Sequence, residues 1–312
     1  MLDFRIRTFL SVCRTHNYTH SARELNITQP AVSQHIAYLE KLYATKLFLY
    51  RNKQLVLTDE GALLRDTARQ IAHDSELLEA RLAESAGARR TITMGATLTA
   101  GEYMIAEPLA CHLANDHDTQ MHFISADTAE LLDMVGEGSI DFALVEGFFD
   151  KSAFDWQVFK TEELVGIRSP ETSIAASTLD GLLDEHLLIR EKGSGTRAVL
   201  EHRLASHNLS TASFRRTSEI TSINVIKRMV YHAYGIAFLY RAAVAEDLAC
   251  GRLASIDLEE SPITHDITFV WLKGSLFASE IRAFISHLQQ QDIAPQRGKT
   301  PEGSREIRVP NR

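Results

Sequence analysis

Three cysteines in 312 residues, Cys13, Cys111 and Cys250, are too few and too far apart for a disulfide framework or a paired-cysteine metal site. They read as small buried hydrophobes in a reducing compartment. No stretch reaches the roughly 18 apolar residues of a membrane helix. The opening Met1-Leu2-Asp3-Phe4-Arg5 alternates apolar and charged residues and lacks the apolar run of a secretory signal. The expectation is a soluble, cytoplasmic chain with no membrane partner. Positive charge is also short: the formal net charge is −8, which excludes a uniformly basic nucleic-acid binder or a polybasic membrane-surface protein. The deficit is uneven, because residues 1–70 sum to +4, 71–292 to −15 and 293–312 to +3. The chain is long enough for two domains, each with its own core.

Catalytic signatures are missing as well. Gly193-Ser194-Gly195 is one residue short of a nucleophile elbow, and Gly298-Lys299-Thr300 lacks the upstream glycine of a phosphate loop. His112, His117 and His122 stand five apart and share no helix face. No catalytic residue, metal ligand or cofactor is expected.

What is present begins with three short helices. Phe4, Ile6, Phe9, Leu10 and Cys13 recur at helical spacing over 4–15. A second helix, with Thr19 as its expected N-cap, carries Ala22 and Leu25 until Asn26. A third opens at Thr28-Gln29-Pro30, where Thr28 can cap and proline in the first turn costs little. Its apolar positions are Val32, Ile36 and Leu39. Leu47–Tyr50 and Leu55–Leu57 flank the polar turn Arg51–Gln54, which predicts a β-hairpin. From Thr58 to about Ala86 the pattern is one long helix. Leu64, Ile71 and Leu78 repeat every seven residues with Ala68, Ser75 and Leu82 four further on. That seam packs either on its own domain or, the reading favoured here, on a second copy.

After the polar hinge Ser85–Arg90 the chain alternates strand-like and helix-like runs, which argues an α/β sheet with helices on its faces. A strand is expected at 91–96, then a helix near 102–115, a strand at 121–124, a helix at 128–137 and a strand at 140–145. A second unit over about 164–266 holds a strand at 187–189 and helices at 195–206 and 222–233. Strand 267–272 and helix 278–290 then rejoin the first unit. The Pro-, Gly- and charge-rich segment 293–312 reads as a disordered tail.

Two short helices joined by a tight turn, the second presenting Gln29, Ser33, Gln34 and His35 early on its outward face, fit a helix-turn-helix entering a major groove. Glutamine can pair bidentately with adenine, and Pro30 can meet a thymine methyl. Arg51 and Lys53 on the hairpin turn can lie along phosphates. Crossing segments near 161–165 and 263–267 would leave a cleft between two α/β lobes. Thr97-Leu98-Thr99-Ala100-Gly101 on one side and Arg190–Arg197 on the other offer hydroxyls and helix-start N–H groups suited to an anion. Ser194, Thr196 and Arg197, together with Thr97, Thr99, Thr128 and Ser222, are the candidate ligand residues, with plain helix capping as the competing role for Ser194, Thr196, Thr128 and Ser222.

Residues 1–61 resemble the winged helix-turn-helix of LysR-type transcriptional regulators, on Phe9-Leu10-Ser11-Val12, Asn17-Tyr18-Thr19, the run Ser21–Ser33, Leu47-Phe48 and Leu57-Thr58 with Gly61. The resemblance runs on through about 90% of the chain. It implies an α/β architecture: winged helix-turn-helix over 1–58, linker helix and hinge over 59–88, and a two-lobed type 2 periplasmic-binding-protein-like effector domain over 89–292. Lobe 1 would take about 91–163 plus 267–292, and lobe 2 about 164–266. By the same resemblance Thr28, Gln29, Pro30, Ser33 and Gln34 take the DNA-contacting positions and Lys53 the basic wing position. The implied partners are double-stranded promoter DNA, a small effector, a second or further copies in a homodimer or homotetramer, and RNA polymerase as a further candidate. Gly101-Glu102-Tyr103, Val145-Glu146-Gly147 and Gly193–Arg197 are similar to the branch that regulates sulfur and carbon assimilation, which implies a small inorganic or carboxylate anion. The chain departs from the family at Leu49-Tyr50, where Glu-Arg is usual, and at Gln34, where Arg is common. That departure keeps open a second reading, a ligand-binding protein that has lost specific DNA binding.

Overall fold

The computed structural model describes residues 3–293 apart from Lys53. The wing call on Lys53 and the tail call, beyond Ile293, therefore lie outside the described residues.

The first domain is α1 (Phe4–Thr15), α2 (Tyr18–Glu24), α3 (Gln29–Leu42) and the hairpin β1 (Phe48–Arg51) and β2 (Gln54–Leu57). It has a core of its own, in which Phe9, Val12, Val32, Ile36, Leu39 and Leu47 are almost completely buried. Cys13 sits in that core, where burial pushes its thiol up to about 12, but Cys111 and Cys250 are exposed. The expectation of three buried cysteines therefore holds only for the one on a helix face turned inward. The N-cap of α2 is Asn17, not Thr19: its side chain accepts from the amides of Thr19 and His20 at 2.9 and 3.0 Å. Asparagine outranks threonine as a cap, and the chain turns just before it through His16 in the left-handed region.

Helix α4 (Asp59–Ser85) starts where Thr58 Oγ1 accepts from the Gly61 amide. Its first turns pack Leu64 against the first domain's core. Further on, one face docks on the rest of the chain: Asp74 Oδ1 accepts from Ser275 Oγ at 3.1 Å and from the Leu276 amide at 3.3 Å. Arg81 pairs with Glu280, and His73 lies against Gly138. The expected seam divides: Leu64 and Ala68 are covered within the chain, whereas Ile71, Leu78 and Leu82 are all more than half exposed.

The remainder is one curled nine-stranded sheet in the order β4-β3-β5-β11-β6-β9-β7-β8, with β10 paired to β6. Its strands are β3 (Arg90–Ala96), β4 (Thr119–Ser125), β5 (Phe142–Val145), β6 (Phe154–Arg168), β7 (His186–Ile189), β8 (Arg216–Glu219), β9 (Ile236–Tyr240), β10 (Ala254–Ile256) and β11 (Ile263–Leu272). Pairs β3/β4, β3/β5, β7/β8 and β7/β9 are parallel. Such strands need helical crossovers, and α5 (Leu98–Ala100), a π-turn (Gly101–Ile105), α6 (Ala106–Asn115), α7 (Thr128–Glu137), α8 (Gly195–Ser206), α9 (Ile223–Tyr231) and α10 (Arg241–Ala249) supply them. The helix expected near 102–115 thus begins four residues earlier. Helix α7 ends where Gly138 turns at φ +75, which suits glycine. Helix α11 (Ala278–Ile293) closes the first group of strands.

Two long antiparallel strands carry the chain between the groups. β6 and β11 pair from Phe154↔Leu272 to Leu164↔Ile263, with a register break at Ile267/Thr268. The far half of β6 then pairs with β9. Neither the 15-residue length of β6 nor the strand Ile236–Tyr240 was marked by alternation: β9 is buried on both faces, and β6 is so only over Leu164–Ile167.

The Asp74 contacts make a prediction. Asp74→Ala leaves the Ser275 hydroxyl and the Leu276 amide unpaired beneath α4, and is expected to cost about 1–3 kcal/mol in chemical denaturation. A loss below 0.5 kcal/mol would show that α4 does not dock there in solution.

Candidate functional site

Thr28 Oγ1 caps α3 by accepting from the Ala31 amide at 3.3 Å, and Pro30 occupies the first turn. Thr28, Gln29, Pro30, Ser33 and Gln34 are all exposed. Gln29 and Ser33 line, with Asn17, Thr19, Lys46 and Tyr50, one concave surface of about 610 Å³ between helix and hairpin. His35 is not on that face. Its Nδ1 lies 2.9 Å from Thr8 Oγ1 and its ring meets Phe4 edge-on, so it ties α3 to α1. Arg51 is exposed at the hairpin tip. Tyr50, 76% exposed, stands on the rim of the concavity with a bare ring.

The second site lies at the carboxyl ends of β3, β5, β7 and β9, the edge at which α/β sheets present their ligands. Thr97 follows β3, Glu146 follows β5, Arg190 follows β7, and Tyr240 ends β9. All four are at most 3% exposed. Across this edge Thr99 Oγ1 meets Thr196 Oγ1 at 3.2 Å, and Thr196 donates to Glu146 Oε2 at 3.2 Å. Gly195 is required here, because a Cβ would stand 2.3 Å from Glu146 Cγ. Arg190 donates to both carboxylate oxygens of Glu191, at 2.9 and 2.7 Å. Burial pushes the Glu146 carboxyl up to about 7, against the pull of Arg190 and the hydroxyls of Thr99 and Thr196.

Three hydroxyls in this cluster are buried with no hydrogen-bond partner: those of Thr97, Ser194 and Tyr240. Thr97 and Ser194 are the N-cap residues of α5 and α8, yet neither side chain makes a cap bond. Capping therefore does not account for them. Other candidates are committed elsewhere. Thr128 Oγ1 donates to the Glu146 carbonyl at 2.7 Å, and Ser222 caps α9 by accepting from the Val225 amide. Arg197, expected to face an anion, instead bridges Glu201 and Glu219 at 2.7 Å each and donates to the Arg190 carbonyl. It lies in the first turn of α8, but the acidic side chains beside it claim its charge.

Glu146 and Arg190 stand in segments the sequence marked, but neither they nor Tyr240 were among the candidate ligand residues. The signal for Glu146 and Arg190 is a charged residue directly after an apolar strand, Val145-Glu146 and Ile189-Arg190, whose burial depends on the sheet order. No group of histidine, cysteine and acidic residues among the described residues could hold a metal ion. No helix among them is long and apolar enough to cross a membrane.

A helix-turn-helix head joined by a long helix to an α/β domain with a buried polar cluster at its strand ends is the layout of a DNA-binding regulator with an effector domain. Residues 5–62 match the model of the bacterial regulatory helix-turn-helix protein, lysR family, and residues 85–292 match that of the LysR substrate binding domain. The chain belongs to the LysR family of transcriptional regulators. It is 27% identical to the HTH-type transcriptional regulator CysL of Bacillus subtilis over 85% of this chain and 89% of that one. Identity is 28% to the HTH-type transcriptional regulator CbbR of Rhodospirillum rubrum, over 91% and 95%. The fold is similar to that of full-length LysG from Corynebacterium glutamicum with bound effector Arg, at TM-score 0.66 and 17% identity, covering 94% of this chain and 98% of that one.

The raised acid predicts a pH dependence. The native state keeps the Glu146 proton to about pH 7, whereas an unfolded glutamate loses it near 4.5. Stability should therefore fall as pH rises from about 4.5 to 7, by on the order of 3 kcal/mol from this group. Denaturation at pH 5 and 7.5 should show that decline in the wild type and not in Glu146→Gln; parallel profiles would refute it.

Proposed function

We propose that this regulator binds promoter DNA sequence-specifically and is controlled by a small anionic metabolite held between the lobes of its effector domain. The observation that carries the effector reading is the pair of buried, unpartnered N-cap hydroxyls, Thr97 and Ser194, set on the two sides of the cleft. Thr99, Thr196 and Arg190 complete the site, and the other earlier candidates, Thr128, Arg197 and Ser222, act by holding its walls. On the DNA side Gln29 and Ser33 read base edges, Thr28, Pro30 and Gln34 flank them, and Arg51 and Lys53 approach phosphates.

Affinity for DNA then comes from doubling a head that carries only +4, so the regulator works as a homodimer or homotetramer. The exposed seam of Ile71, Leu78 and Leu82 supports this, since a long helix leaves such a stripe bare only when something else covers it. RNA polymerase is a further partner in this reading. The −15 body keeps the effector domain off the DNA.

A second reading, a ligand-binding protein without specific DNA binding, has in its favour the bare Leu49-Tyr50 wing. Footprinting at moderate salt decides between them: a protected, palindrome-like site supports the regulator, and its absence the alternative. Gln29→Ala is expected to cost about 1–3 kcal/mol at the protected site and little on random DNA. Equal losses on both would refute base reading. Leu78→Glu should dissociate the oligomer in light scattering and weaken operator binding with it; an unchanged mass would place the oligomer contact elsewhere.

A further inference from the structure

We propose that the cleft takes up its anion together with one proton, held on Glu146, so that the effector is a small oxyanion whose affinity falls as the solution turns alkaline. The proposal rests on the anionic-effector reading above and deepens it.

The argument is one of charge. The guanidinium nearest the cleft is that of Arg190, 3% exposed, and both Glu191 oxygens already balance it. Glu146, 2% exposed, adds a second carboxylate, and the hydroxyls that meet its side chain, those of Thr196 and Thr99, are neutral. The other ionisable groups around it do not offset this. Tyr240 ends β9 and is neutral, its own ionisation pushed up by burial and by Glu146 and Glu162. Asp127, before α7, lies against Gly193, and Glu162 is on β6. His265 on β11 is engaged with the Gly147 backbone, 2.9 Å from its carbonyl oxygen. With Glu146 ionised, an anion entering the cleft meets two carboxylates, the buried one of Glu146 and the half-buried one of Glu191, against one buried guanidinium.

With Glu146 protonated the count balances. The carboxyl O–H becomes one more donor beside the unpartnered hydroxyls of Thr97, Ser194 and Tyr240. The start of α8 adds its N–H groups, which the Ser194 side chain leaves uncapped. Three hydroxyls, a carboxyl proton and a helix N-terminus suit the oxygens of a compact oxyanion. They offer no counter-charge that would hold one while Glu146 is ionised. Burial places the acid near neutrality, where an arriving anion can change its protonation state. A cationic effector would instead keep Glu146 ionised and release protons on binding.

The test is calorimetry on the full chain with sulfate, glycolate and oxalate, none of which titrates between pH 6 and 8.5, in buffers of different ionisation enthalpy. The expected result is uptake of about one proton per anion bound at pH 8, with affinity falling about tenfold per pH unit above 7. Glu146→Gln should bind the same probe with no proton uptake and no pH dependence over that range. Because that variant also alters packing beside Gly195, infrared spectra of the wild type supply a second readout: a protonated-carboxyl band that strengthens when the probe binds at pH 8. Binding without proton uptake, or equal uptake by Glu146→Gln, overturns the proton coupling and leaves the anionic-effector reading standing. No binding of any probe even at pH 6 overturns both.

Discussion

The antiparallel pairing of β6 with β11 is the constraint on which the rest of the effector domain depends. These two strands turn two sets of parallel strands into one sheet, and every residue of the cleft hangs from a strand whose position that ladder sets. The register break at Ile267/Thr268 falls where the pairing passes from one lobe to the other. On either side, β3 and β5, then β7 and β9, bring their carboxyl ends to the same edge. Polar side chains gather there because the last residues of the strands behind them are mainly apolar and buried.

Glu146 sits at the centre of that edge and couples its parts. Its side chain accepts from Thr196 on lobe 2, its carbonyl accepts from Thr128 on lobe 1, and its bulk excludes any residue but glycine at position 195. A buried carboxylate without a full counter-charge is costly. It stands beside three hydroxyls that are themselves buried and unpaired, so the cost is concentrated at this one edge.

The long helix α4 joins this chemistry to the DNA-reading head through two faces of different kinds. One, with His73, Asp74 and Arg81, is polar and fitted to lobe 1 of the same chain. The other, with Ile71, Leu78 and Leu82, is apolar and bare. Lobe 1 is thus fastened to α4, while lobe 2 touches the helix through none of these contacts.

Much of this was legible in the residues. The caps Thr28 and Thr58, the proline in the first turn of α3, the hairpin at 48–57, helix 128–137 and helix 195–206 follow from local chemistry that acts over a few residues. The exposed face of α3 follows from the same periodicity, and the family resemblance implied a partner for it. Local chemistry misled at Thr19, where Asn17 is the better cap, and at His35, whose helical spacing points outward until α1 packs against it. The positions of Glu146, Arg190 and Tyr240, and the loss of Arg197 to Glu201 and Glu219, depend on which strands lie side by side. Strand order is a long-range property, because residues 146, 190 and 240 come together only when β6 and β11 have paired. The sequence by itself determined most of the helices, several of the strands, the division into two domains and the chemistry available to them. Only the tertiary structure decided which donors were left free to meet a ligand, since a polar group is free or committed according to its neighbours in space.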